Sequence, residues 1–419
     1  MNPFDLLPGK SECLFQNWES LWVKPYSKWD VDPYTRTRVI LMNGTEFENV
    51  WFSHQMQRSI PDNELRRQLA LIRRSEQQQQ KLLTHLKPSD ETALEHTIGY
   101  EQLAVDLTAH LAGRVCSAEI KKALDFALLE DFDHLYRYAD YLEATSGAHA
   151  ETLVGHYTEI MPGRPTIAHH RHPMDSVRRP MTQPCPPTFD VLAANIITAA
   201  EQQTMNYYMN TAALWEEEIG RRLYMEIGMV EEQHVTQYGS LLVPCLTPLE
   251  NLLVHQYTEC YLYYSCIVTE CDPYIRGIWQ MLFDQELVHL HIAKALLQKY
   301  DGKEWQQVIP NAEFPDPLRL ESNIPYVRNI LGGTVNNTAL REDYVDVSTL
   351  PEDSDYARYQ CYVNCPTENV VSHTFIQKYM DKNRRDYRFE TAPHPVEALR
   401  SRIKDNYTLS RGEAANMEE

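Results

Sequence analysis

"YMEIGMVEEQHVTQYGSLL" (residues 224–242) sets two adjacent glutamates and a histidine inside a strongly helical run. Read at a helical period, Tyr224, Ile227, Glu231, His234, Tyr238 and Leu241 fall on one stripe. Apolar residues hold both ends of that stripe, so it should face a core. A carboxylate and an imidazole occupy its middle.

The same pattern recurs 100 residues upstream. "GYEQLAVDL" (99–107) falls on "AAEQQTMNY" (199–207), and "LEDFDHLYRY" (129–138) falls on "MVEEQHVTQY" (229–238). Glu101 therefore matches Glu201, Asp131 matches Glu231, His134 matches His234, and Tyr138 matches Tyr238. Glu101 shares a stripe with Leu94, Ile98 and Val105, and Glu201 with Ala194, Ile197 and Met205. Asp131 and His134 share one with Leu124, Leu128 and Leu142. Four helices thus aim acid or imidazole groups into a core. An unpaired buried carboxylate costs several kcal/mol, and no Lys or Arg recurs on these stripes. A bound cation answers the charge. Carboxylate and histidine at i and i+3 share one helix face, so each such unit presents two ligands together.

Proline marks where the helices run. Residues 89–145, 188–243 and 274–309 contain none, while prolines crowd 162–187 and 310–325. An early helix is expected over about 61–87, then three helical hairpins. The first joins about 90–112 to 117–144, and the second about 190–212 to 215–242. The third joins about 248–270 to 273–300, with Asp272 as N-cap and Pro273 as first helical residue. More than 40 residues of loop-like chain separate the first two hairpins, which a bundle with parallel second and third helices would require. The expected organisation is an irregular N-terminal wrapping segment (1–60), a helical domain (61–300) and a mostly irregular C-terminal extension (301–419). The metal-binding halves are about 90–145 and 188–243, 248–300 is an additional hairpin, and a further helix lies near 367–382.

The 419 residues, 43% of them hydrophobic, suffice for more than one packed unit. Net charge is −20, which argues against a nucleic-acid partner. "RHPMDSVRRP" (171–180) is the only short basic stretch, and it reads as a solvated loop. No long apolar run suggests a membrane span, and no signal-like N-terminus is present, so a cytoplasmic protein is expected. Nine scattered cysteines form no CxxC pair, which leaves a disulfide framework, a zinc ribbon and a rubredoxin-type iron site unsupported.

Over roughly residues 90–242 the chain resembles the ferritin-like di-iron carboxylate superfamily, which includes rubrerythrins, ferritins and the bacterial multicomponent monooxygenases. The resemblance implies an all-α fold, a ferritin-like four-helix bundle extended by the additional hairpin and the irregular terminal segments. It implies two metal ions, iron or else manganese, held by Glu101, Asp131, His134, Glu201, Glu231 and His234. Asp131, or Glu130 one residue away, stands where the family pattern has a glutamate. The expected function is an oxidoreductase activating O₂ or peroxide, of the di-iron oxidase, oxygenase or peroxidase type. A small-molecule substrate, a separate electron donor and assembly as a homo-oligomer go with it. The alternative is a non-enzymatic metal protein for storage, detoxification or structural assembly.

Several signals lie outside that set. Glu259, with Glu286 and His289 on the next helix, repeats the theme in the third hairpin, which binds metal elsewhere, replaces the first hairpin, or keeps its polar groups hydrogen-bonded without metal. "AHHRHP" (168–173) reads as a solvated histidine cluster, and Cys361 and Cys365 as ordinary thiols. Tyr100, Tyr138, Tyr208 and Tyr238 read as core residues whose hydroxyls satisfy ligands, and Gln102 and Gln202 as supporting hydrogen-bond donors.

Overall fold

The computed structural model describes residues 1–163, 169–363, 370–388 and 393–400. Cys365 of "CYVNC" and Ala168 of "AHHRHP" lie outside them. The fold is all-α, with twelve helices and a single two-stranded hairpin among the described residues. The long helices are α1 (Pro33–Ser59), α2 (Asn63–Leu86), α3 (Ala93–Ala112), α4 (Ala118–Ser146), α6 (Thr188–Ala212), α7 (Glu218–Gly239), α8 (Pro248–Thr269) and α9 (Pro273–Leu296). A single turn, α5 (Ala150–Leu153), follows α4.

Side-chain caps start most of them. Asp32 accepts from the Tyr34 amide, with Pro33 in the first turn of α1. Thr92 and Glu95 form a capping box on α3, as Thr247 and Glu250 do on α8. Asp272 caps α9 with Pro273 behind it, as the sequence predicts. Gly147, at φ 71°, ends α4 in the left-handed region that an L side chain resists.

Two compact units divide the chain. Unit 1 comprises Met1–Glu91, Pro180–Gln203 and Leu242–Leu320. In it the α1–α2 and α8–α9 hairpins pack together, α1 against α8 and α2 against α9. Unit 2 comprises Thr92–Arg179, Thr204–Leu241 and the chain from Glu321 onward. There α3 and α4 form a hairpin, α4 packs on α7, and the C-terminal helices α10 (Ile324–Thr334) and α12 (Val371–Asn383) both cover α4. The division passes through α6, one unbroken helix.

Two expectations are corrected. Residues 33–59, expected to be irregular, are a helix of 27 residues with a largely polar buried face: Thr35, Arg36, Asn43, Glu46 and Asn49 are all buried. The third hairpin is no appendage either, because it completes unit 1 with α1 and α2. The C-terminal extension also carries more structure than expected: α10, the strands β1 (Asn337–Leu340) and β2 (Asp343–Asp346), α11 (Asp355–Val363) and α12. No described helix is long and apolar enough to cross a membrane.

Candidate metal centre

Helix α7 supplies the middle of the site. Glu231 and His234 are one turn apart on its buried face, and the His234 Nδ1 lies 3.0 Å from Glu231 Oε2. The other oxygen of the same carboxylate, Oε1, lies 2.9 Å from Nδ1 of His134 on α4. Glu231 thus stands between two imidazoles from two helices, one oxygen to each, and the ring centroids are 6.1 Å apart. Asp131 Oδ1 is 3.4 Å from His234 Nδ1, and its Oδ2 accepts a 3.3 Å hydrogen bond from Thr108. On α3, Glu101 Oε1 lies 4.0 Å from His134 Nδ1 and accepts a short hydrogen bond from the Tyr208 hydroxyl.

These side chains form two groups that could each hold a metal ion. Asp131, Glu201, Glu231 and His234 make one, and Glu101, His134 and Glu231 make the other, the ligand atoms of each lying within 4.8 Å of one another. Glu231 belongs to both. All six residues expected from the internal repeat are buried and fall in these groups.

Adjacent Glu130 takes a different place. It accepts a 2.7 Å hydrogen bond from His234 Nε2, while Arg171 Nη1 lies 3.0 Å from each of its oxygens. With Nε2–H donating to Glu130, the Nδ1 lone pair of His234 is turned toward Asp131 and Glu231, which is how an outer carboxylate orients a ligating histidine. Arg171 lies on the long connection between α4 and α6, so that segment delivers a charge to the back of the centre. Its guanidinium also sits 5.0 Å over the Phe126 ring and its amide donates to Gln233 on α7 at 2.8 Å.

Part of the described connection is therefore packed rather than solvated. His169, His170, Arg171 and Arg178 are buried, and His169 Nε2 lies 3.4 Å from Asp133 on α4. Gln102 is corrected as well, since its amide donates to Val154 O at 3.1 Å and Thr158 Oγ1 at 3.3 Å on this connection rather than to a candidate ligand. Gln202 is half-buried. Tyr100, Tyr138, Tyr208 and Tyr238 are all buried, and of these Tyr208 is seen to donate to a candidate ligand, Glu101.

Electrostatics favour the ligating forms. Burial alone would raise the Glu231 carboxyl, but the adjacent His234 and His134 imidazoles outweigh it and hold the group below the usual carboxylate range. Burial lowers the His134 imidazole toward the neutral ring that a metal requires, against the pull of Glu231. Burial and then Glu101 push the Tyr208 phenol up, so it stays a donor.

The donor set fits a metal by its own chemistry. Carboxylate oxygens and imidazole nitrogens suit iron(II), iron(III) or manganese(II), and His134 Nε2 and the Tyr138 hydroxyl have no hydrogen-bond partner among the described residues. No protein-family model, no curated protein and no solved structure matches this chain.

Proposed function

We propose that the chain is a ferritin-like di-metal carboxylate protein, an oxidoreductase that activates O₂ or peroxide at two iron or manganese ions. The observation that carries this reading is the Glu231 carboxylate, with one oxygen toward His134 and the other toward His234. A carboxylate so placed would bridge two ions, each capped by one imidazole. Glu101 would complete the first position, and Asp131 and Glu201 the second.

The ions, when bound, supply redox electrons and exchangeable coordination positions. This chain's own residues set the rest. Glu130 would hold the His234 proton on Nε2, and Arg171 holds Glu130 in place through both carboxylate oxygens. Tyr208 holds one Glu101 oxygen by its hydroxyl. Burial of every candidate ligand excludes bulk water and strengthens each of these interactions. Electrons would come from a separate donor protein, since the sequence contains no CxxC pair for a rubredoxin-type site.

Anaerobic loading with ferrous ion followed by O₂ or H₂O₂ tests the reading. Bound iron should oxidise faster than free ferrous ion in the same buffer, and His234→Ala should slow that oxidation sharply and lower the iron retained per chain. Oxidation at the free-ion rate with full retention of iron would favour storage or structural assembly. No iron retained would exclude both.

A further inference from the structure

Unit 1 buries a second set of carboxylates that the reading above does not use. Glu46 lies on α1, Glu76 on α2, Glu259 on α8, and Glu286 with His289 on α9; all five are at most 1% exposed. Four helices each contribute one carboxylate, and two of these, Glu76 and Glu286, lie at the His289 imidazole. The α9 pair repeats the i, i+3 unit of α7, with His289 Nδ1 3.0 Å from Glu286 Oε1 and 4.0 Å from Glu76 Oε1. On α2 the matching unit is Glu76 and Gln79, where α4 has Asp131 and His134.

The hydrogen bonding of this cluster is lopsided. The side-chain amides and the Tyr263 hydroxyl all donate. Gln79 Nε2 donates to Glu286 at 2.7 Å, and the Tyr263 hydroxyl donates to Glu46. Asn49 Nδ2 bridges Glu76 at 2.9 Å and Glu259 at 2.6 Å, and Gln256 Nε2 bridges the same two carboxylates at 2.9 and 3.0 Å. Acceptors remain. Each of the four carboxylates keeps one oxygen without a hydrogen-bond partner among the described residues, as do the side-chain carbonyls of Asn49, Gln79 and Gln256. Seven buried acceptors, against one unpartnered imidazole nitrogen (His289 Nε2), call for positive charge rather than for more amides.

Lys and Arg side chains supply little of it: the Arg73 charge reaches Glu76, without an ion pair. No Lys or Arg pairs with any of the four carboxylates among the described residues; Arg73, one turn before Glu76, donates to Ser53 at 3.3 Å. A structural core would gain nothing from four such groups, since apolar replacements of that size avoid the desolvation cost altogether.

We propose that unit 1 holds a second divalent-cation centre, formed by Glu46, Glu76, Glu259, Glu286 and His289, with the Gln79 carbonyl where a second histidine would stand. Its ligands are richer in oxygen than those of unit 2, one imidazole against two, so it should favour manganese(II) over softer ions. Its carboxylates are spread more widely than those around Glu231, and binding would draw them inward.

Titration of the metal-free full-length protein with Mn(II), with free ion read by electron paramagnetic resonance, tests this. More than two ions per chain are expected. Glu286→Gln and His289→Ala should each lower the end point by at least one ion, while His234→Ala should leave those ions in place. An end point unchanged by both unit 1 variants overturns the proposal, whatever His234→Ala does to the other centre. Wild-type crystals soaked in Mn(II) give a check that needs no variant to fold. An anomalous peak beside Glu286 and His289 is expected, and a map without one overturns the proposal.

Discussion

His234 Nε2 lies 2.7 Å from a Glu130 oxygen, and a proton held between them leaves the Nδ1 lone pair facing the candidate centre. Glu130→Gln leaves an amide that can present either its carbonyl or its NH₂ group to the ring, so the orientation is no longer enforced. We expect metal affinity at the centre to fall about 10- to 100-fold, as outer-sphere carboxylate losses usually do. Competition with a chromophoric chelator measures it, and an affinity unchanged from wild type would refute the orienting role.

Arg171 and Glu130 are a fully buried pair, both side chains at 0% exposure. Removing one partner strands the other charge, so Arg171→Ala should destabilise the metal-free protein by about 3–5 kcal/mol in urea unfolding. The double change Arg171→Met with Glu130→Leu should recover most of that loss, because neither charge is then buried. It should not recover metal affinity, since His234 has still lost its acceptor. Recovery of both properties would show that the pair serves stability alone.

The shared position of Glu231 predicts an asymmetry between single variants. Glu231→Ala removes a donor from both groups and should empty both positions. His134→Ala removes a donor from the Glu101 group only and should leave close to one ion at the other. Elemental analysis after anaerobic loading reads the difference. Equal losses in the two variants would rule out a bridging carboxylate.

The sequence displayed the centre of unit 2 because its ligands repeat at a fixed offset and interrupt otherwise apolar stripes. Of the cluster of unit 1 it showed Glu259, Glu286 and His289, and it hid Glu46 and Glu76 for two physical reasons. The buried face of α1 is itself polar, with Arg36, Asn43, Glu46 and Asn49 turned inward, so no hydrophobic period marks it as a helix. On α2, Gln79 in place of histidine removes the signature that drew attention to α4 and α7. Arg171 escaped for another reason. Its partner lies 41 residues back on a different element, and nothing local distinguishes a guanidinium bound for a buried carboxylate from one bound for water.

A pH dependence follows from His110 in the last turn of α3. Burial, and then the Arg114 guanidinium that donates to its Nε2 at 3.0 Å, lower its imidazole from the usual 6.5 to about 4. The unfolded chain therefore takes up this proton first as pH falls. The stability tied to the neutral ring is complete above about pH 6.5 and is lost progressively down to about pH 4. His110→Gln should flatten that part of the stability curve in urea unfolding at stepped pH. A wild-type slope retained in the variant would assign the acid sensitivity to other groups.

The way the chain is threaded through unit 1 has a temporal side. Its first hairpin, α1 with α2, is complete at Leu86, but α8 and α9 follow only at Pro248–Leu296. At about 5–20 residues per second, the first hairpin waits about ten to forty seconds on the ribosome for its partners. During that interval Glu46 and Glu76 stay in water, where their charges cost nothing. The burden of packing four carboxylates together arrives all at once, when the second hairpin closes over the first. Residues 1–91 thus carry half of a charged core and have no means of completing it alone.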